Sequence, residues 1–141
     1  MTPAQIAAVE ETFAMVDLDA LADDFYRLAF AADPALLSMF VSDPGEQRDR
    51  FATELEEIVH SIRTLEAFEP TVRSLGVRHR GYGVRPGHYK VMGDALIAAL
   101  RDAVGEPWTP DVEEAWRLAY NLTAETMMLG AMGDQPASRR R

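Results

Sequence analysis

The sequence predicts an all-α fold of six to eight helices. Apolar residues recur along most of the chain at the three- and four-residue spacing of a helix face, and proline and glycine interrupt this pattern at uneven intervals. No stretch alternates between apolar and polar residues as a strand would. The 141 residues, 48% of them hydrophobic, are enough for one domain with a sizeable core, which we expect to span residues 1–141.

The N-terminal half contains three predicted helices and one short helical turn. Thr2 is suited to cap the first helix, because its side chain can accept a hydrogen bond from the first turn, where Pro3 also fits. The apolar residues that keep helical spacing behind it are Ile6, Val9, Phe13 and Val16. The following segments are predicted as a helix from about Asp19 to Ala31, a helical turn from Pro34 to near Phe40, a loop over Ser42–Gly45 and a helix from about Glu46 to Ile62.

Three further helices are predicted in the C-terminal half. The first carries His79 and is ended by the residues Gly81, Gly83, Pro86 and Gly87. The second runs from about His88 to Val104, and Thr109-Pro110 opens the last with the same cap signature as Thr2-Pro3. The last helix passes through Trp116, Tyr120, Thr123 and Met127, and we expect residues 131–141 to form a partly disordered tail.

Charge and composition argue against several functions. Fourteen basic and 23 acidic residues give a net charge of −9, which disfavours nucleic acid and anionic membranes as partners. The chain has no cysteine, which excludes disulfides, thiolate nucleophiles and iron–sulfur clusters. Acidic residues within the first twenty positions do not fit a secretory leader, and the longest apolar stretch, Ala95–Leu100, is too short to cross a bilayer. We therefore expect a cytoplasmic protein.

His79 is the most informative single residue. It follows Leu75, Val72 and Phe68 by four, seven and eleven residues, so all four share one helix face. A histidine on such a face is costly to bury unless its ring nitrogens have partners. The stripe leaves two interpretations open: His79 is either a core histidine bonded to a backbone carbonyl or a ligand of iron. The first is favoured from the stripe alone, because a single histidine is a weak indication of a metal site.

The run from Val77 to Gly93, VRHRGYGVRPGHYKVMG, resembles the proximal segment of bacterial globins, both the single-domain haemoglobins and the haem domain of flavohaemoglobins. That segment has a basic residue before the ligand histidine, then Gly-Val, then His-Tyr, then a valine and a glycine. Residues 25–40 resemble the second helix and following corner of these proteins, and residues 114–120 the start of their last helix. The resemblance covers nearly the whole chain.

The resemblance implies a globin fold that encloses a haem pocket, with haem b as cofactor and His79 as the proximal iron ligand. It also implies distal ligand-binding roles for Tyr26, Gln47 and Phe51. Pocket positions are implied for Phe40, Leu55, Leu75, Val84, Tyr89 and Met127. Independently, Gln47 lies four residues before Phe51 and eight before Leu55, on one helical face. The alternative, that Gln47 is exposed in the first turn of its helix, stays open at this point.

By the same resemblance, the protein would bind dioxygen reversibly, and also nitric oxide or carbon monoxide. Tyr26 and Gln47 would offer hydrogen bonds to the gas, while Phe51, where relatives often have a smaller aliphatic residue, would narrow its route. Conversion of nitric oxide to nitrate would need a separate reductase, because flavin and nicotinamide domains do not fit in 141 residues. A monomer or homodimer is expected, and the rival interpretations are a gas or redox sensor and a haemless globin-like interaction protein.

The chain departs from the family pattern in one place. Relatives have a glutamate on the last helix that makes the proximal histidine more basic through Tyr89, but Ala131 stands at that position here. Glu125, six residues away, is a poor substitute, which puts strong peroxidase-like character in doubt. The remaining candidates are predicted to be surface or packing residues: His60, His88, Met127, Met128 and the acidic group Glu54, Glu56 and Glu57.

Overall fold

The computed structural model describes residues 1–40, 43–81 and 83–133, and the helices within these ranges confirm the predicted all-α class. There are six α-helices and one 3₁₀ helix in the described residues. The α-helices are α1 (Pro3–Phe13), α2 (Leu18–Ala32), α3 (Pro44–Ser61), α4 (Leu65–Gly81), α5 (His88–Val104) and α6 (Pro110–Gly133), and the 3₁₀ helix spans Pro34–Met39.

Side-chain caps set most of the helix starts. The Thr2 hydroxyl accepts a hydrogen bond from the Gln5 backbone N–H at 3.1 Å, and the Gln5 side chain accepts one in return from the Thr2 backbone at 2.8 Å. Asp17, Asp33 and Asp43 cap α2, the 3₁₀ helix and α3 in the same way. Each cap satisfies N–H groups that have no partner within the helix.

These caps explain where the observed boundaries differ from the predicted ones. Helix α1 ends at Phe13, so the prediction that Val16 extends it is wrong; Asp17 caps α2 and the chain has to turn before it. Helix α3 begins at Pro44 because Asp43 caps it, which shortens the predicted loop over Ser42–Gly45; residues 41 and 42 lie outside the described residues. Residues 131–133 of the predicted tail continue α6, and residues 134–141 lie outside the described part.

Helices α4 and α6 form the most extensive helix pair, and glycines let their backbones meet. A Cβ atom on Gly76 would lie 1.9 Å from the carbonyl oxygen of Met127, and one on Gly130 would lie 2.4 Å from that of Arg73. No side chain could occupy either space. This close approach fixes α4, and with it His79, against the last helix.

The other helices enclose a core on both sides of this pair. Helix α2 packs on α5, α1 packs on α6, and α3 contacts both α2 and α4. The largest fully buried side chains are Val9, Leu21, Leu36, Phe68, Val72, Leu75, Ile97 and Leu100. In the same core the Trp116 indole donates a hydrogen bond to the Thr12 hydroxyl at 2.9 Å. Within the described ranges, no helix combines the length and apolar character needed to cross a membrane.

Candidate functional site

A cavity of about 460 Å³ lies between α2, α3, α4, α5 and α6. Its volume is within the range of small-molecule and cofactor sites, and its lining is mostly apolar with a few polar side chains. All ten residues proposed from the sequence line it: Tyr26, Phe40, Gln47, Phe51, Leu55, Leu75, His79, Val84, Tyr89 and Met127. The fold therefore brings the candidate site residues together around one space.

His79 lies in the last turn of α4, half-buried on one wall of the cavity. Its Nδ1 atom is 2.9 Å from the carbonyl oxygen of Leu75. Because a carbonyl can only accept, Nδ1 carries the hydrogen, and in the neutral ring Nε2 then has the lone pair that a metal needs. The carbonyl-bonded histidine considered from the sequence is thus present, and the same bond prepares the ring for coordination.

Another part of the cavity wall is built around Tyr26. Its hydroxyl donates a hydrogen bond to the backbone carbonyl of Gln47 at 3.3 Å. Four aromatic rings surround it with centroids 5.2 to 5.8 Å away, those of Phe25, Phe30, Phe40 and Phe51. Burial raises the pKa of Tyr26 to about 12, an effect to which the Glu54 charge adds and which the Arg50 charge opposes. The side chain is therefore a neutral hydroxyl at ordinary pH.

Gln47 is buried, with 8% of its surface exposed, so the interpretation of an exposed first-turn residue is wrong. Helix α3 starts three residues earlier, at Pro44, so Gln47 already belongs to the inward face that continues with Phe51 and Leu55. The Phe51 ring stacks on Phe25 at a centroid distance of 4.8 Å. The amide and this ring are held on the same wall as Tyr26.

The prediction that Glu54 lies on a solvated face is wrong. Its side chain is 16% exposed, lines the cavity and forms an ion pair with Arg78 at 3.7 Å. Burial raises its pKa, while the positive charges of His79, Arg78 and Arg50 act in the opposite direction. A signal existed in the sequence, because Glu54 follows Gln47 by seven residues and so shares its face. Glu56 and Glu57 are exposed, as predicted.

Two tyrosines meet on the α5–α6 side of the cavity. The Tyr120 hydroxyl donates a hydrogen bond to the backbone carbonyl of Tyr89 at 2.6 Å, and burial raises the pKa of both phenols. The Tyr120 ring packs directly against Gly93, because a Cβ atom on Gly93 would lie 2.5 Å from a carbon of that ring. Tyr89 is thus tied to the last helix through its backbone.

Comparison with known proteins settles the family. The globin family model matches residues 23–127, well over half of the chain. The chain belongs to the globin family. This confirms the resemblance seen in the sequence and the globin fold that it implied.

The relatives of this globin include much longer proteins. A flavohemoprotein of Halalkalibacterium halodurans is 33% identical over 113 residues, which is 78% of this chain and 28% of that protein. A flavohemoprotein of Bacillus subtilis is 32% identical over 107 residues, 74% of this chain and 27% of that protein. The chain thus spans less than a third of the length of these relatives.

A solved structure shows the same fold at low sequence identity. The hexacoordinated heme protein of an anhydrobiotic tardigrade superposes with a TM-score of 0.83 at 14% identity, covering 94% of this globin and 96% of that chain. At this identity, the likeness establishes the arrangement of helices.

Most of the weaker candidates have the exposure that the sequence predicts. His60 is exposed on α3, which confirms it as a surface residue. His88 begins α5, half-buried rather than exposed, and its Nδ1 accepts a hydrogen bond from the Arg85 backbone N–H at 2.9 Å. Met127 is buried in the cavity wall and Met128 is half-buried, as expected of packing residues.

On the last helix, Glu125, the one considered substitute for the missing glutamate, does not line the cavity. Ala131 is half-buried, and its carbonyl accepts a hydrogen bond from Arg80 at 3.2 Å. Glu125 is exposed. The expectation that Glu125 is a poor substitute is therefore confirmed.

Several residues that line the cavity were not predicted from the sequence. Those outside the predicted set include Val9, Arg50, Glu54, Ile58, Met92, Leu96 and Thr123. The residues on α3 follow the face already marked by Gln47, whereas those on α1, α5 and α6 depend on how the helices cross. Periodicity identifies the buried face of a helix but not which part of that face borders an open space.

Proposed function

We propose that this globin binds haem b through His79 and holds a diatomic gas, above all dioxygen, on the opposite side of the cavity. The observation that carries the proposal is the position of His79 on the cavity wall, with its Nδ1 hydrogen committed to the Leu75 carbonyl. Membership of the globin family and the similarity to flavohemoproteins support it.

The residues of the cavity fit such a cofactor. The space of about 460 Å³ is lined mostly by apolar side chains, which suit a flat hydrophobic ring. The His79 imidazole faces it from α4, and the Tyr26 hydroxyl and Gln47 also line it. When held by His79, haem would supply the iron that binds the gas. The apolar walls are formed by Phe40, Leu55, Leu75, Val84 and Met127.

Tyr26 and Gln47 are the proposed donors to the gas. Tyr26 keeps its proton at neutral pH because its pKa is about 12. Its present hydrogen bond to the Gln47 carbonyl, 3.3 Å long, is weak for a hydroxyl and can be exchanged at small cost. A hydrogen bond to a partly charged acceptor contributes roughly 1.5–3 kcal/mol, which would slow release of dioxygen about tenfold or more.

Phe51 is the proposed restriction on this side. Its ring is fixed by stacking on Phe25 and lies 5.8 Å from the Tyr26 ring, so it fills space next to the two donors. A fixed aromatic ring at this position excludes water and leaves room for only a small molecule. We expect Phe51→Leu to admit gases faster.

Conversion of nitric oxide to nitrate is the proposed enzymatic role. The distal pair Tyr26 and Gln47, which would retain dioxygen, favours it, and the similarity to flavohemoproteins suggests a reductase partner. Each turnover consumes one electron in addition to dioxygen and nitric oxide, so a reductase has to supply it. The absence of a glutamate at Ala131 argues for a less electron-rich imidazole and so against peroxidase chemistry.

We further propose that residues 1–141 form a single globin domain and that the protein is cytoplasmic. It would be a monomer or a homodimer. The alternatives are a gas or redox sensor, whose output would need a partner, and a haemless globin-like interaction protein. The next experiment separates them.

Absorption spectra of the purified protein after addition of ferric haem test the proposal. We expect a strong Soret band, a shift on reduction and a further shift with carbon monoxide. A missing Soret band would favour the haemless alternative. A ferrous spectrum that does not change when carbon monoxide is added would indicate an iron coordinated by two protein ligands. His79→Ala should lose most of the haem, whereas His60→Ala, a histidine change on the exposed face of α3, should retain it.

Consumption of nitric oxide tests the enzymatic role. With dioxygen and a supplied reductase, we expect many turnovers per protein molecule, with nitrate as the product. A single stoichiometric reaction would leave gas binding as the function.

A further inference from the structure

Glu54 and Arg78 connect α3 and α4, two of the helices that line the cavity. The carboxylate of Glu54, on α3, lies 3.7 Å from the guanidinium of Arg78, on α4. The Arg78 side chain is 45% exposed and that of Glu54 is 16% exposed, so the pair lies at the rim with its acid inside. Arg78 also donates a hydrogen bond to the Ser74 hydroxyl at 3.0 Å, which holds it along α4.

Glu54 lines the cavity together with His79 and Tyr26. Its carboxylate interacts electrostatically with both of these side chains, which belong to α4 and α2. Arg50, one helical turn earlier on α3, lines the same cavity and also acts on this carboxylate. An acidic side chain among apolar residues is unfavourable unless cations compensate it, and Arg78 and Arg50 oppose this cost without cancelling it, because the pKa of Glu54 stays raised.

This position determines what a bound haem would meet at the rim. Haem b carries two carboxylates of its own on an otherwise hydrophobic ring. If it enters between α3 and α4, its carboxylates meet the same cations that Glu54 now holds. Two carboxylates on one guanidinium repel each other, so a haem carboxylate on Arg78 favours displacement of Glu54.

We propose that Glu54 is an internal substitute for a carboxylate of haem. In the haem-free protein it holds Arg78 in an ion pair, and on haem binding Arg78 passes to a haem carboxylate and the Glu54 side chain is displaced. The inference rests on the proposed haem-binding function. It follows that Glu54 weakens haem retention, whereas Arg78 strengthens it and also compensates the Glu54 charge in the haem-free protein.

The rate at which haem passes to excess apomyoglobin tests this proposal in the ferric haem-loaded protein. We expect Glu54→Gln to slow haem loss about fivefold and Arg78→Gln to speed it by a similar factor, the size expected of a partly exposed charge interaction. Glu57→Gln, which removes an exposed charge from the same helix, should leave the rate unchanged.

A second arm uses the dimethyl ester of haem, in which both carboxylates are neutral. The difference between wild-type protein and Glu54→Gln should then shrink to less than twofold. In the haem-free protein, Arg78→Gln should lower the unfolding temperature, because it leaves the Glu54 carboxylate without its ion pair, and it should lower it less in the Glu54→Gln background.

The outcomes separate this proposal from the function on which it rests. If wild-type protein binds haem but Glu54→Gln loses it as fast or faster, the substitute role is wrong and haem binding stands. An effect that is equal with haem and its dimethyl ester would also overturn it. If wild-type protein takes up no haem, the proposed function fails first and this inference with it.

Discussion

Replacing Gly76 with alanine should destabilise the protein by separating the helix that carries His79 from the last helix. The added Cβ would lie 1.9 Å from the Met127 carbonyl oxygen and 2.6 Å from its carbonyl carbon. Both neighbours are backbone atoms inside α6, which no side-chain rotation can move. The helices must therefore separate by more than 1 Å to reach the 3.4 Å of an ordinary contact.

The expected magnitude follows from two opposing effects. Alanine favours the helical backbone over glycine by about 0.5–1 kcal/mol. Forcing extra volume into a packed core costs about 1–3 kcal/mol, and here it also disturbs the packing of Phe68, Val72 and Leu75. We expect a net loss of about 2 kcal/mol, or roughly 6 °C in the unfolding temperature.

Thermal and urea unfolding of the haem-free protein measure this loss. Gly81→Ala is the matched control, because it makes the same change in the same helix and its Cβ would meet no atom within 4 Å. Its stability should equal or slightly exceed that of the wild type. If Gly76→Ala is as stable as Gly81→Ala, the backbone contact between α4 and α6 does not hold the helices as described.

Three further predictions concern buried hydroxyl groups. Thr12→Val should cost about 1–3 kcal/mol in unfolding free energy, because it leaves the Trp116 indole N–H without its acceptor, whereas Thr12→Ser should cost less; equal losses would show that the hydrogen bond contributes nothing. Tyr26→Phe should release dioxygen about tenfold faster in stopped-flow displacement by carbon monoxide, and an unchanged rate would remove Tyr26 from gas binding. The native pKa of Tyr26 is about 12 against a usual value of 10.0, so the folded protein keeps a proton that the unfolded chain loses as the pH rises through that window. Wild-type stability should accordingly fall by about 2 kcal/mol more than that of Tyr26→Phe between pH 10 and 12, and parallel curves would contradict the burial of this hydroxyl.

Local signals in the sequence were sufficient to predict the helices. The boundaries of α5 were predicted at both ends, because glycine before His88 and after Val104 ends the apolar periodicity on each side. The start of α3 was missed because Asp43-Pro44-Gly45 is a turn sequence in isolation. In the structure Asp43 caps the helix and Pro44 occupies its first turn, so the same residues begin α3.

The candidate site was predictable where a helix face and a family motif coincide. His79 ends an apolar stripe within a conspicuous segment, and all ten predicted residues line the cavity. Glu54 was misplaced because its charge and its acidic neighbours are typical of a solvated surface. Its burial depends on Arg78, which approaches from another helix, and single-helix periodicity contains no information about that pairing.

Replacing His79 with glycine and restoring the ligand with free imidazole tests the central claim most directly. The variant should bind haem weakly and lack the wild-type ferrous spectrum, and millimolar imidazole should restore it by occupying the space left by the side chain. A variant that keeps the wild-type spectrum without imidazole would show that another residue holds the iron, and the proposed site would be wrong.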